Sequence, residues 1–169
     1  NEEGILRVEH SDYNFGVIGK NFHFMFSFEE GGPVSIKYNG KECVYRAPRP
    51  AFWRATTEND LGNGFSTKSA AWFGAESFSK MISCKVLEYM DDFTEEINPW
   101  DLVGRAKARD NVKKVSICYT YDTTVAGTTV DIIYTVYGSG RINVKLFYHG
   151  KDGAPQLPLF GIRFVMPDI

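Results

Sequence analysis

Apolar and polar residues alternate along much of the chain. The clearest case is Phe22, Phe24, Phe26 and Phe28, interleaved with His23, Met25 and Ser27. Period two puts the four rings on one side of an extended strand. Similar alternation or short apolar runs predict strands over 5–10, 13–18, 34–38, 43–45, 83–89, 112–121, 128–137, 141–148 and 159–165. Asn39-Gly40 and Gly138-Ser139-Gly140 supply turn chemistry between neighbouring strands. The stretch 66–73 predicts one short helix, with Ser66 as its N-cap and Gly74 ending it. Region 91–111 is acidic and mixed and reads as an irregular excursion. Many short strands, hairpin turns and one short helix predict an all-β fold, an antiparallel β-sandwich.

Composition fits that reading. The chain has 169 residues, 43% hydrophobic and 24% charged, which suits one globular domain. Aromatics reach 15%, favouring strands and carbohydrate- or protein-facing surfaces over helical bundles. A net charge of −2 leaves no basic excess for phosphates, so nucleic-acid binding is not expected. No apolar run approaches a membrane span. The start, Asn1-Glu2-Glu3-Gly4, lacks the basic and apolar regions of a secretory signal and lacks an initiator Met, as a processed chain or fragment would. Cys43, Cys84 and Cys118 are widely spaced, the pattern of buried thiols in a reducing cytoplasm.

Candidate chemistry is sparse. His10, His23 and His149 are scattered, without ligand spacing, so no metal site is expected. Glu29-Glu30 point to opposite faces of an extended chain, a poor pair for glycosidic acid–base work. Asp91-Asp92 and Glu95-Glu96 read as a solvated acidic rim. The exception is the loop 46–64, where Trp53 and Arg54 precede Glu58, Asn59 and Asp60. A carboxylate near Arg54 is more naturally an ion pair bracing a loop than an acid poised near neutral pH. Trp53, Trp72 and Trp100 are candidates for sugar stacking or protein contact. Core packing is the simpler reading for the first two.

The run Pro50-Ala51-Phe52-Trp53-Arg54-Ala55-Thr56-Thr57-Glu58-Asn59-Asp60-Leu61-Gly62 resembles the P-x-F-W-R-A-x-T-D/E-N-D-x-G signature of the β-galactosidase small chain, the C-terminal β-sandwich domain of family-two β-galactosidases. Asn21-Phe22 with Phe26-Ser27 and Gly31-Gly32 is similar to another family stretch, and so is Gly161-Ile162-Arg163-Phe164-Val165-Met166-Pro167. The likeness covers essentially the whole chain. Glu58 stands where Asp is frequent and reaches one methylene further.

The resemblance implies a large sandwich like that of galactose mutarotase, with residues 1–169 as one domain fragment incomplete at its C-terminus. It implies a non-catalytic part of an enzyme that hydrolyses terminal β-galactosides such as lactose with retention. The two glutamates, magnesium and a monovalent cation would belong to a TIM-barrel catalytic domain or large subunit, the expected partner. No catalytic residue, metal or cofactor is then expected in this chain, and the fragment alone should be inactive. The family's sugar-stacking Trp lies beyond this segment, so none of the three Trp residues takes that role. Trp53, Arg54, Glu58, Asn59 and Asp60 would form a substrate- or interface-facing loop, meeting galactoside only through the complex. Two alternatives stay open: a stand-alone carbohydrate-binding sandwich, or an aldose-epimerase-like enzyme by analogy of fold.

Overall fold

The computed structural model describes residues 4–102, 104 and 107–168. Asn1–Glu3 and Ile169 lie outside them, as do Val103, Arg105 and Ala106 of the excursion. The fold is an antiparallel β-sandwich. Its strands are β1 (Leu6–His10), β2 (Asn14–Ile18), β3 (Phe22–Ser27), β4 (Gly32–Tyr38), β5 (Lys41–Glu42), β6 (Arg46–Ala51), β7 (Met81–Tyr89), β8 (Thr94–Ile97), β9 (Lys107–Val112), β10 (Lys114–Asp122), β11 (Thr129–Tyr137), β12 (Ile142–His149) and β13 (Gly161–Val165). One sheet runs β5-β4-β3-β2-β1-β9, a second runs β12-β11-β10-β7-β8, and β13-β6 form a two-stranded ribbon.

The phenylalanine stripe is the inner face of the first sheet: Phe24 and Phe26 are fully buried, and Phe22 and Phe28 nearly so. Val115, Ile117, Tyr119, Tyr121, Val130, Ile132, Tyr134 and Val136 face them from the second sheet. The tyrosines also join the layers by hydrogen bonds. The Tyr119 hydroxyl donates to the Ser27 carbonyl at 3.0 Å, and that of Tyr121 donates to the Gly31 carbonyl. Burial pushes the phenols of Tyr119, Tyr121 and Tyr134 above their ordinary pKa, so they stay neutral across the physiological range.

The second inter-sheet link is polar and joins titratable side chains. His10 continues the inner face of β1 after Leu6 and Val8, and Glu88 continues that of β7 after Cys84 and Val86. His10 Nε2 lies 2.9 Å from Glu88 Oε1, both side chains being almost wholly buried. Arg109 reaches in from β9 to Glu88 Oε2 at 2.9 Å and also pairs with Glu95 of β8. Lys107 adds a contact to Glu95 at 3.2 Å. The Arg109 hydrogen bond, aided by Lys107, holds the Glu95 carboxyl below its usual range against its partial desolvation.

Several expectations change here. Region 91–111 contains the edge strands β8 and β9, not only irregular chain. Glu95 belongs to an ion-pair network rather than a solvated rim. Only Cys84 is a buried thiol, and burial raises its pKa; Cys43 and Cys118 are half-buried. The single helix over 66–73 is instead a chain of short turns: α1 (Glu58–Gly62), α2 (Phe65–Lys68), a 3-10 turn (Ala70–Trp72) and α3 (Ala75–Phe78). Gly64 and Gly74, at φ 65° and 73°, occupy the left-handed region just before α2 and α3. That conformation is easy for glycine and breaks a continuous helix. Ser66 therefore lies inside α2 and not at its cap.

Candidate functional site

The candidate loop leaves the ribbon at the end of β6 and leads into the helical turns. Phe52 anchors it: the ring is fully buried and stacks on Trp72 with centroids 5.4 Å apart. Trp72 is itself fully buried, and its Nε1–H donates to the Pro155 carbonyl at 3.0 Å. Its role is core packing. Trp53 is half-buried and meets Phe73 edge-to-face at 5.5 Å. Trp100 lies apart, 46% exposed, beside Phe28.

Beyond Trp53 the chain is braced by its own polar groups. Arg54 donates to both carboxylate oxygens of Asp60, at 2.7 and 3.2 Å, and to the Ala55 carbonyl at 3.0 Å. The Thr57 N–H donates to Asp60 Oδ2 at 2.8 Å, while the Asp60 N–H donates to Thr57 Oγ1 at 3.3 Å. This reciprocal pair is a capping box, which fixes where α1 begins. Glu58 and Asp60 in the first turn also meet the positive end of the turn's aligned N–H groups. The Arg54 hydrogen bonds, followed by those of Thr57, hold the Asp60 carboxyl well below the usual carboxylate range.

Of the five candidate residues, the structure thus brings Arg54 and Asp60 together and leaves Glu58 and Asn59 pointing outward. Both are exposed. Asp60 is committed to a guanidinium and a cap, so it is an anion at working pH and unsuited to deliver a proton. The capping box is readable in the sequence as Thr57-Glu58-Asn59-Asp60, a T-x-x-D spacing that placing the helix start at Ser66 passes over.

Among the described residues, the remaining histidines do not assemble a second centre. His23 is exposed on the outer face of β3. His149 Nε2 lies 2.8 Å from Asp131 Oδ2 at the surface. Among the described residues, no group of three or more His, Cys, Asp or Glu side chains is placed to hold a metal ion. No helix among them is long and apolar enough to cross a membrane.

Fold and loop together define an antiparallel β-sandwich domain whose distinctive residues sit on a braced flanking loop rather than in a cleft. The family described as "Beta galactosidase small chain" matches residues 18–169, and the chain belongs to it. It is 43% identical, over 96% of its length, to the "Beta-galactosidase small subunit" of Latilactobacillus sakei, of which it covers 51%. It is 38% identical over 97% of its length to a "Beta-galactosidase" of Clostridium acetobutylicum, covering 16% of that protein. A "Beta-galactosidase" of Halalkalibacterium halodurans is 32% identical over 99% of this chain, which covers 15% of it. The chain therefore spans about half or less of the curated relatives it matches.

Proposed function

We propose that this chain is a non-catalytic part of a β-galactosidase, supplying scaffold and interface to a catalytic domain or large subunit that hydrolyses terminal β-galactosides such as lactose. The observation that carries the reading is the loop 53–60. Its family signature is held rigid from behind by Arg54, Thr57 and Asp60, while Glu58 and Asn59 are left outward. A loop fixed by its own hydrogen bonds loses little entropy on docking, which favours association. Among the described residues, three carboxylates that could serve acid–base chemistry are already committed to other partners. Asp60 is tied to Arg54, Glu88 is buried against His10 and Arg109, and Glu42 is held by the Ser35 hydroxyl and three backbone N–H groups.

Magnesium and a monovalent cation belong, on this reading, to the catalytic partner. Free cysteines fit a cytoplasmic location. The test is complementation. The chain is mixed with the catalytic subunit from the same source, with and without the rest of the small chain, and β-galactoside hydrolysis is assayed. The expected result is no turnover by this chain alone and activity only in mixtures that contain the partner. Saturable turnover by the pure chain would overturn the reading. A galactoside-dependent change in Trp fluorescence of the chain alone would point instead to an independent sugar-binding module.

A further inference from the structure

The β6–β13 ribbon carries three arginines around one small cavity. Arg49 and Arg163 are direct register partners, and Arg46 lies opposite Val165. Between those two pairings β6 advances by one residue more than β13. This is a bulge, and it re-aims side chains. Arg46 and Arg49 stand at odd spacing, so a regular strand would send them to opposite faces. Here both are exposed, with Ala47, Pro48, Pro50 and Ala51 buried. Together with Arg163, Glu30, Glu76 and Ser77 they line a cavity of about 230 Å³.

Like charges directly across an antiparallel pair are unfavourable. Among the described residues one of these is compensated: Arg163 pairs with Glu76 of α3. Among the described residues no ion pair or side-chain hydrogen bond engages the guanidinium of Arg46 or Arg49. The cavity is smaller than sites for whole small-molecule ligands, which run about 300–1,000 Å³. A planar guanidinium pair at a small polar mouth suits a carboxylate, which arginine grips in a two-pronged fashion. The same strand continues through the buried Phe52 into Trp53 and Arg54, so the arginines and the braced loop sit on one rigid run of chain.

We propose that the Arg46–Arg49–Arg163 face is a docking point for an acidic segment of the catalytic partner. This rests on the reading that such a partner exists. The two glutamates lining the cavity leave one arginine in excess, and the incoming carboxylate supplies the missing anion.

The experiment measures association of the full-length small chain with its catalytic chain, purified separately, across a range of NaCl concentrations. Wild type, R49K, R49E and R46E/R49E are compared, and each small chain is also melted alone. The expected result is a loss of affinity of roughly tenfold or more for R46E/R49E and an intermediate loss for R49K. The salt dependence of the double variant should flatten while its own melting temperature stays that of wild type. Unchanged affinity and salt dependence in R46E/R49E would overturn the proposal and leave the partner reading intact. A parallel drop in the melting temperature of the small chain alone would place the anion within that chain and overturn it as well. Failure of the wild-type chains to associate would instead remove the partner reading, and the docking point with it.

Discussion

Asp60 shows how one side chain can fix a loop. It accepts two hydrogen bonds from Arg54 and one from the Thr57 amide, and its own amide is taken by the Thr57 hydroxyl. Because its carboxyl is held below the ordinary value, the bracing is fully present above the unfolded carboxyl's pKa, near about 4. It fades as pH falls below that and is gone once the folded carboxyl itself protonates. Asp60→Asn removes the charge at every pH. The expected outcome is weaker protection of the Leu61 and Asn63 amides, which donate to the Thr57 and Asn59 carbonyls. Hydrogen exchange should show a wild-type-minus-variant difference that is level from about pH 5 to 8 and shrinks below about pH 4. A difference that grows on acidification would contradict the assignment. Asn59 makes none of these side-chain contacts, so its replacement should leave amide protection alone and, on the proposed reading, be felt only where a partner binds.

At the scale of elements, the strands easiest to read in the sequence are those with one buried face. β11 keeps strict alternation, and β3 keeps it through Phe26, because every second side chain meets the opposite sheet. β8 and β9 are edge strands and bury only Ile97 and Val112, so charge rather than apolar period dominates their sequence. β6 is hidden by Pro48 and Pro50, residues confined to edges and bulges. The loop signature is legible as a pattern, but its Arg54–Asp60 pairing depends on a turn that places residues six apart in contact. The His10–Glu88 link is invisible in the sequence, since it joins residues 78 positions apart across two sheets. That link has a measurable weight. Glu88→Ala leaves a buried imidazole and half of Arg109's partners unmatched, and is expected to cost about 3–5 kcal/mol in urea unfolding. The double variant His10→Leu with Glu88→Met should recover most of that loss, because both buried polar groups are replaced by apolar ones and Arg109 keeps Glu95. A Glu88→Ala cost below about 1 kcal/mol would show that the pair contributes little.

At the scale of the whole molecule, exposed apolar side chains occur from the last strands to the C-terminal end, among other places. Phe147, Leu159, Phe160, Phe164 and Met166 are 47, 39, 37, 40 and 63% exposed. β12 is also the outer strand of its sheet, with half-buried Ile142, Val144 and Leu146 on its inward side. A free edge of eight residues beside apolar surface is a template for pairing with another chain. In isolation the chain should therefore self-associate, its apparent mass in size-exclusion chromatography rising with concentration. Phe164→Lys with Met166→Lys should reduce that rise while changing stability by no more than about 0.5 kcal/mol, since neither side chain is in the core. On the proposed reading, a catalytic partner and the part of the curated small subunit that this chain does not span would be two different ways to cover this surface. If the remainder alone abolishes the concentration dependence, the exposed strands are an intradomain seam. If only the catalytic chain does so, they extend the interface proposed for the braced loop. A compact monomer at every concentration would mean that the edge is protected by its own twist, and self-association would then be no guide to where partners bind.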